Sequence, residues 1–250
     1  MAYSGPFPHT NTGVTSAVNV ANTTFTGNVG NTGTITGALT VTSSTIEGEI
    51  LDSGYIGGGI KIDSASAISA PTLVGISISG ALFAGGISNA GTITAGQSGI
   101  YVNGTSTFSG GIANSGSMIT GDTAIEVYAS TFLGGINNTG SINSNSDRAI
   151  YVDVSSFAGG LTNSGSITAP HDTAIEIYAS SFAGGITNSG TINSYDSGIY
   201  MDASTFTGGS SIRARSIPPT APAWSCSAAI SPAGLPTAAR SMRPLIWAFM

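Results

Sequence analysis

Apolar and polar positions alternate along much of this chain. Between Ile125 and Ala129 the odd positions are apolar or small, and the even ones, Glu126 and Tyr128, are polar or amphipathic. A period of two is the signature of a strand with one buried face. The same pattern begins at Ile100, Ile150, Ile175 and Ile199, and a Phe follows each leading Ile after seven residues, or eight in the case of Ile100. Helix is disfavoured, because Gly pairs and β-branched residues recur where a helix needs straight-chain formers.

The strands belong to a longer phrase. It reads FAGGISNAGTI from Phe83, FSGGIANSGSM from Phe108, FLGGINNTGSI from Phe132, FAGGLTNSGSI from Phe157 and FAGGITNSGTI from Phe182, and it starts again at Phe206. A step of about 25 residues marks a solenoid, in which one unit cannot bury its apolar face until neighbours stack on it. The expected fold is all-β: a single-stranded parallel β-helix with one such step per coil, right-handed by the crossover rule, followed by an irregular tail. Stacking at about 4.8 Å puts like residues over like. Phe83, Phe108, Phe132, Phe157, Phe182 and Phe206 should form an aromatic ladder, and Ile112, Ile136, Leu161 and Ile186 an aliphatic one. Asn89, Asn114, Asn138, Asn163 and Asn188 occupy an N-x-G corner, where Asn and Gly tolerate left-handed backbone and amides can bond from coil to coil.

The N-terminal half repeats the phrase less faithfully. Units are read from Phe25 and Ile46, each with an aliphatic residue seven positions earlier (Val18 and Leu39) and with Asp52 in the Asn slot. The stretch from Ile60 to Leu82 is irregular and is expected to hold a distorted coil. The organisation predicted is an irregular segment over 1–17, the β-helix over 18–209 and a non-repeat tail over 210–250. Roughly eight coils make a rod about 40 Å long.

The outward positions carry a finer pattern. One column reads Tyr101, Glu126, Tyr151, Glu176, Tyr200, and the next reads Asn103, Tyr128, Asp153, Tyr178, Asp202. The true repeat is therefore a pair of coils, which keeps like charges from stacking at strand spacing. The tyrosines and carboxylates of these columns read either as surface packing that tolerates stacking or as a candidate surface-binding strip, since exposed aromatics beside carboxylates suit sugar faces.

Only 7% of the residues are charged and the net charge is −6, so Ser, Thr, Asn and Gly supply the polar coat. An acidic balance argues against nucleic acid as a partner. The single cysteine, Cys226, excludes a disulfide framework. Beyond Gly209 the character changes: four of the six basic residues, both tryptophans, Cys226 and six of the ten prolines lie there. Codons can be chosen for Ala229–Met250 that, one base out of frame, spell the repeat phrase again. The tail is accordingly expected to be disordered and the product of a shifted reading frame, which the gene sequence tests. A last coil without a cap leaves open strand edges, so end-to-end self-association is expected.

Tandem GGI-x-NSG-[ST]-I phrases in a Ser/Thr/Asn/Gly-rich β-helix resemble the passenger region of bacterial autotransporters, the type V secretion proteins, from about Val18 to Gly209. The resemblance implies a cell-surface or extracellular location and a role as structural stalk or adhesin, with host or environmental glycans or surface proteins as partners. Members of that family carry a signal peptide before the passenger and a membrane β-barrel after it. Neither is visible in this sequence, which is therefore read as a passenger fragment whose link to a membrane would run only through a missing barrel.

No catalytic activity, cofactor or metal is expected. His171 beside Asp172 reads as exposed decoration of a turn, serines lack a G-x-S-x-G elbow, and the Gly-rich phrases lack the Lys of a phosphate loop. The alternative is a β-helix polysaccharide lyase or hydrolase. Asp153 and Asp202, two coils apart in one column, stand about 10 Å from each other at strand spacing, near the upper separation used by inverting glycosidases. The monotony of the surface and the scarcity of arginine, with Arg148 alone before the tail, weigh against it.

Overall fold

The computed structural model describes residues 9–212 and the backbone of Ser225–Ile230. The described residues contain strands and no helix. The chain winds as a parallel β-solenoid. On its first face nine strands stack, from Val18–Ala21, Leu39–Thr42 and Ile60–Ile62 up to Ile186–Asn188 and Ser210–Ile212, which encloses eight turns. The second face carries eight, from Thr24–Thr26 to Thr191–Ser194. The third begins with His9–Asn11, Val29–Asn31, Ile50–Asp52 and Ile76–Ile78. It continues through Ile100–Phe108, Ile125–Phe132, Ile150–Phe157, Ile175–Phe182 and Ile199–Phe206. A short fourth face, Val14–Thr15, Thr34–Ile35 and Tyr55–Ile56, exists only at the N-terminal end.

The repeat phrase dictates the C-terminal turns closely. Each turn advances the chain by one phrase, so that Ile112 stacks on Ile136 and Ile136 on Leu161. All six phenylalanines from Phe83 to Phe206 fall in one column and are buried. Phe108, Phe132, Phe157 and Phe182 stack nearly parallel at 4.8–4.9 Å between centroids, close to the strand spacing, while Phe83 and Phe206 at the two ends of the column are tilted at 5.3 and 5.2 Å. The asparagine ladder is present as well: Asn89, Asn114, Asn138 and Asn163 each donate Nδ2 to the Oδ1 of the next, at 2.7–2.8 Å. The extra residue before Phe108 is taken up as a bulge between Val102 and Thr105, where Gly104 has φ 71°.

The corner glycines are needed for a different reason from the one the N-x-G spelling suggests. None of the ladder asparagines, nor the glycine two residues on, has positive φ. Instead the turns approach so closely that a Cβ at Gly140 would overlap the Gly116 carbonyl oxygen, and one at Gly159 the Gly134 carbonyl.

In the N-terminal turns the same words sit at a different corner. These turns are shorter: Val18 stacks on Leu39 and Leu39 on Ile60, steps that fall short of a full C-terminal phrase. Phe25 does not join the phenylalanine column. It lies on the second face, paired with Ile46, and that column continues through Ile68 to Ile93. Asn31 and Asp52 lie on the third face, over Asn11 below and Ile78 above, and not in the Asn89 column. The physical cause is the turn length. A short turn breaks the third and fourth sides into separate strands, Val29–Asn31 and Thr34–Ile35, with Asn-x-Gly bending the chain between them. The long turn fuses those sides into one strand and moves the Asn-x-Gly bend to the corner between the first and second faces. The change is made in the irregular stretch, where the step from Ile60 to Ile87 exceeds those on either side of it.

At its ends the stack reaches past the repeat. His9–Asn11 and Val14–Thr15 already pair with Val29–Asn31 and Thr34–Ile35, so rungs form N-terminal to Val18. Ser225–Ile230 lies parallel on the last long strand, with Tyr200↔Ser225 and Phe206↔Ile230, so this piece of the tail covers the third-face edge. The remainder of the expected disordered, frame-shifted segment after Ile212 lies outside the described residues.

A second ladder runs on the third face, where Asn11 donates to Asn31 Oδ1 at 2.8 Å and Asn31 to Asp52 Oδ1 at 2.7 Å, and the two ladders leave two loose ends. Asn89 meets Ile62 below it, and Asp52 meets Ile78 above it. The Asn89 Oδ1 and Asp52 Oδ2 atoms are buried without a partner. Burial pushes the Asp52 carboxyl above the usual carboxylate range, partly offset by hydrogen bonds from Asn31 and the Gly54 amide. The folded chain thus holds this proton more tightly than the unfolded chain. The contribution of Asp52 is fully present below the ordinary carboxylate pKa and is lost as pH rises through the raised folded value. Asp52→Asn should remove that loss and let the amide complete the ladder. We expect it to stabilise the protein at pH 7 by about 1–3 kcal/mol, the cost of an unsatisfied buried polar group, and to flatten the fall in stability as pH rises out of the carboxylate range. Urea midpoints at neutral and acidic pH measure both. An unchanged midpoint at neutral pH would refute the assignment.

Candidate functional site

The long third-face strands present the tyrosines and carboxylates outward because Ile, Val and Met of opposite parity fill the bore, while the Phe at the strand end, of the same parity as the tyrosines, is buried because the inward parity switches before it. The register is Tyr101↔Glu126↔Tyr151↔Glu176↔Tyr200 in one column and Tyr128↔Asp153↔Tyr178↔Asp202 in the next. All nine residues of the candidate strip therefore share one face. Asn103 does not extend the second column. The bulge displaces it, and its Nδ2 donates to Tyr101 Oη at 2.8 Å.

The alternation makes the aromatic rings meet diagonally. Centroids are 6.1 Å apart for Tyr101–Tyr128, 5.5 Å for Tyr128–Tyr151, 5.9 Å for Tyr151–Tyr178 and 5.7 Å for Tyr178–Tyr200. Five tyrosines thus form an unbroken zigzag along the rod. Two are pinned to their own strands: Tyr128 donates its hydroxyl to Glu126 Oε1 at 2.9 Å, and Tyr178 to Glu176 Oε1 at 2.7 Å. Burial and the Glu126 carboxylate raise the Tyr128 phenol above its ordinary value, and the Glu176 hydrogen bond followed by burial does the same to Tyr178. Both are neutral donors at physiological pH.

The glutamates are engaged on their second oxygens too. Ser98 donates to Glu126 Oε2 at 2.8 Å, and the Arg148 Nε contacts Glu176 Oε2. Arg148 also pairs with Asp147 at 3.0 Å and lies 5.0 Å from the Tyr151 ring centre. Burial opposes its charge, but Glu176 and Asp147 outweigh burial and hold the guanidinium more firmly protonated. Glu126 and Glu176 are therefore ring-positioning groups. Asp153 and Asp202 are the exposed carboxylates of the strip.

Beside the zigzag the long strands bend and leave a groove of about 590 Å³ along the rod axis. Tyr128, Asp153, Tyr178 and Asp202 line one side, Ala129, Val154 and Ala179 lie at the bend, and Ser106, Ser130, Ser155, Ser180 and Ser204 line the other side. The serines are the part of the face that reading the residues alone misses. Their signal is a Ser two positions before every ladder Phe from Phe108 on. His171 is exposed on its turn, and Asp172 beside it accepts the Thr173 amide at 2.6 Å.

No protein family, curated protein or solved structure matches this chain. Rigid aromatic surfaces, two free carboxylates and a file of hydroxyls can bind a polar polymer through ring contacts and hydrogen bonds.

Proposed function

We propose that this chain is a rod-shaped part of a cell-surface or secreted protein of the autotransporter passenger kind, a non-catalytic stalk whose third face is adhesive. The observation that carries this reading is the zigzag of five tyrosines, pinned by Glu126 and Glu176 and running beside a groove along the rod axis. Cross-strand ring pairs also stabilise a sheet, but a spacer has no need of the groove of exposed carboxylates and hydroxyls that runs beside them. Fixing the rings in advance lowers the entropic cost of binding.

A glycan array probed with the full chain tests the reading. Reproducible binding that disappears when Tyr128→Ala and Tyr178→Ala are combined is the expected result. Silence of the unaltered chain across glycans and extracellular-matrix proteins would reduce it to a spacer. Release of reducing ends from any bound polysaccharide would overturn the non-catalytic assignment in favour of a lyase or hydrolase.

A further inference from the structure

We infer that the groove takes a neutral, linear, β-1,4-linked polysaccharide laid along the rod axis, an inference that rests on the adhesive reading above and names its ligand class. The first support is the axial period. Tyr128 and Tyr178 occupy the same column two turns apart, with Asp153 between them, and strand spacing makes that repeat about 9.6 Å. A β-1,4-linked pyranose chain is a flat ribbon in which alternate sugars are flipped, so equivalent faces recur once per disaccharide. The length of that disaccharide is close to the two-turn repeat. Every second sugar can then lie on a tyrosine, and the sugars between can offer hydroxyls to Asp153 and Asp202. An α-1,4-linked chain coils and loses phase with the rungs.

The second support is charge. Among the described residues, the charged side chains lining the groove are Asp153 and Asp202, and no Lys, Arg or His lines it. An acidic polymer such as a polyuronate would meet two carboxylates and no counter-charge. A neutral polymer meets two strong acceptors instead. The third support is unspent hydrogen-bonding capacity. The exposed serine file makes no side-chain hydrogen bond among the described residues.

The experiment is calorimetric titration of the full chain with cellohexaose, chitohexaose, maltohexaose and an oligogalacturonate of equal length. At least one of the two neutral β-1,4 hexamers should bind, more tightly than its disaccharide and with little dependence on salt. Combining Tyr128→Ala and Tyr178→Ala should weaken that binding by about tenfold or more. An unchanged circular-dichroism spectrum of that variant excludes misfolding as the cause, and Tyr128→Phe with Tyr178→Phe, which keeps the rings but removes the hydroxyls that pin them, should lose distinctly less affinity than the alanine pair. Failure of both neutral β-1,4 hexamers to bind, equal or tighter binding of maltohexaose or oligogalacturonate, or indifference to loss of the rings would overturn the inference. Array binding of another ligand class, abolished by the same double substitution, would sink this ligand assignment and leave the adhesive reading standing. A silent array would remove both.

Discussion

Phe132→Ala should lower the unfolding free energy by about 3–5 kcal/mol, the range for emptying a buried aromatic site. Phe132 is fully buried between Phe108, at 4.8 Å and 9°, and Phe157, at 4.9 Å and 3°. Its removal deletes two ring–ring contacts as well as the buried area, each worth about 0.5–1.5 kcal/mol beyond burial. Collapse cannot heal the gap, since the rungs above and below are held at strand spacing by their own backbone pairing. Phe206→Ala should cost distinctly less, because Phe206 is 7% exposed and among the described residues touches a single ring, Phe182, at 5.2 Å and a 37° tilt. Phe132→Leu should lie between them, since the N-terminal turns place Ile35 and Ile56 at the equivalent corner without aromatic help. Urea titrations of the three variants give the order. A Phe206→Ala cost equal to that of Phe132→Ala would mean the ladder is not a cooperative column.

These energetics explain which parts of the fold could be read directly from the residues. From Phe83 onward every turn repeats one phrase, so the columns of Phe, Ile and Asn follow from the period alone. Before Ile60 the same words mislead. Phe25 looks like the first member of the phenylalanine ladder and Asp52 like a ladder asparagine, yet both lie on other faces. Spelling records the local bend, Asn-x-Gly between two short strands. The side of the coil on which that bend falls depends on turn length, which is shorter before Ile60 than after Ile87 and changes across a stretch with no phrase of its own. The binding face divides similarly. Its tyrosine and carboxylate columns follow from parity, because successive residues of a strand point to opposite sides. The groove does not, since it arises where Ala129 and Ser130 carry the long strand around a bend, and a serine there spells no differently from one in the general coat. The pinning of Tyr178 through Glu176 and Arg148 is equally hidden. Arg148 lies far back in the chain from Glu176, on the corner of the preceding turn.

Asn138→Leu tests the other column of the interior, and here the energy at stake is polar. Asn138 accepts from Asn114 at 2.8 Å and donates to Asn163 at 2.8 Å, to the Ser166 carbonyl at 3.2 Å and to the Gly140 carbonyl at 3.3 Å. Leucine fills the space but strips the buried Asn163 Oδ1 of its Asn donor and Asn114 of its shortest acceptor. We expect a loss of about 2–4 kcal/mol, one orphaned acceptor plus one hydrogen bond. Asn89→Leu provides the control. It leaves Asn114 Oδ1 without a donor but also removes the Asn89 Oδ1 that already lacks one, so the number of unpartnered atoms does not rise. Each rung touches only its neighbours, so a break at Asn138 divides the column while a break at Asn89 merely shortens it. The Asn138→Leu transition in urea should therefore be broader as well as earlier, with a lower slope against denaturant, whereas Asn89→Leu should keep the slope of the unaltered chain. Equal midpoints and equal slopes for the two variants would show that the amides fill the corner without coupling one turn to the next.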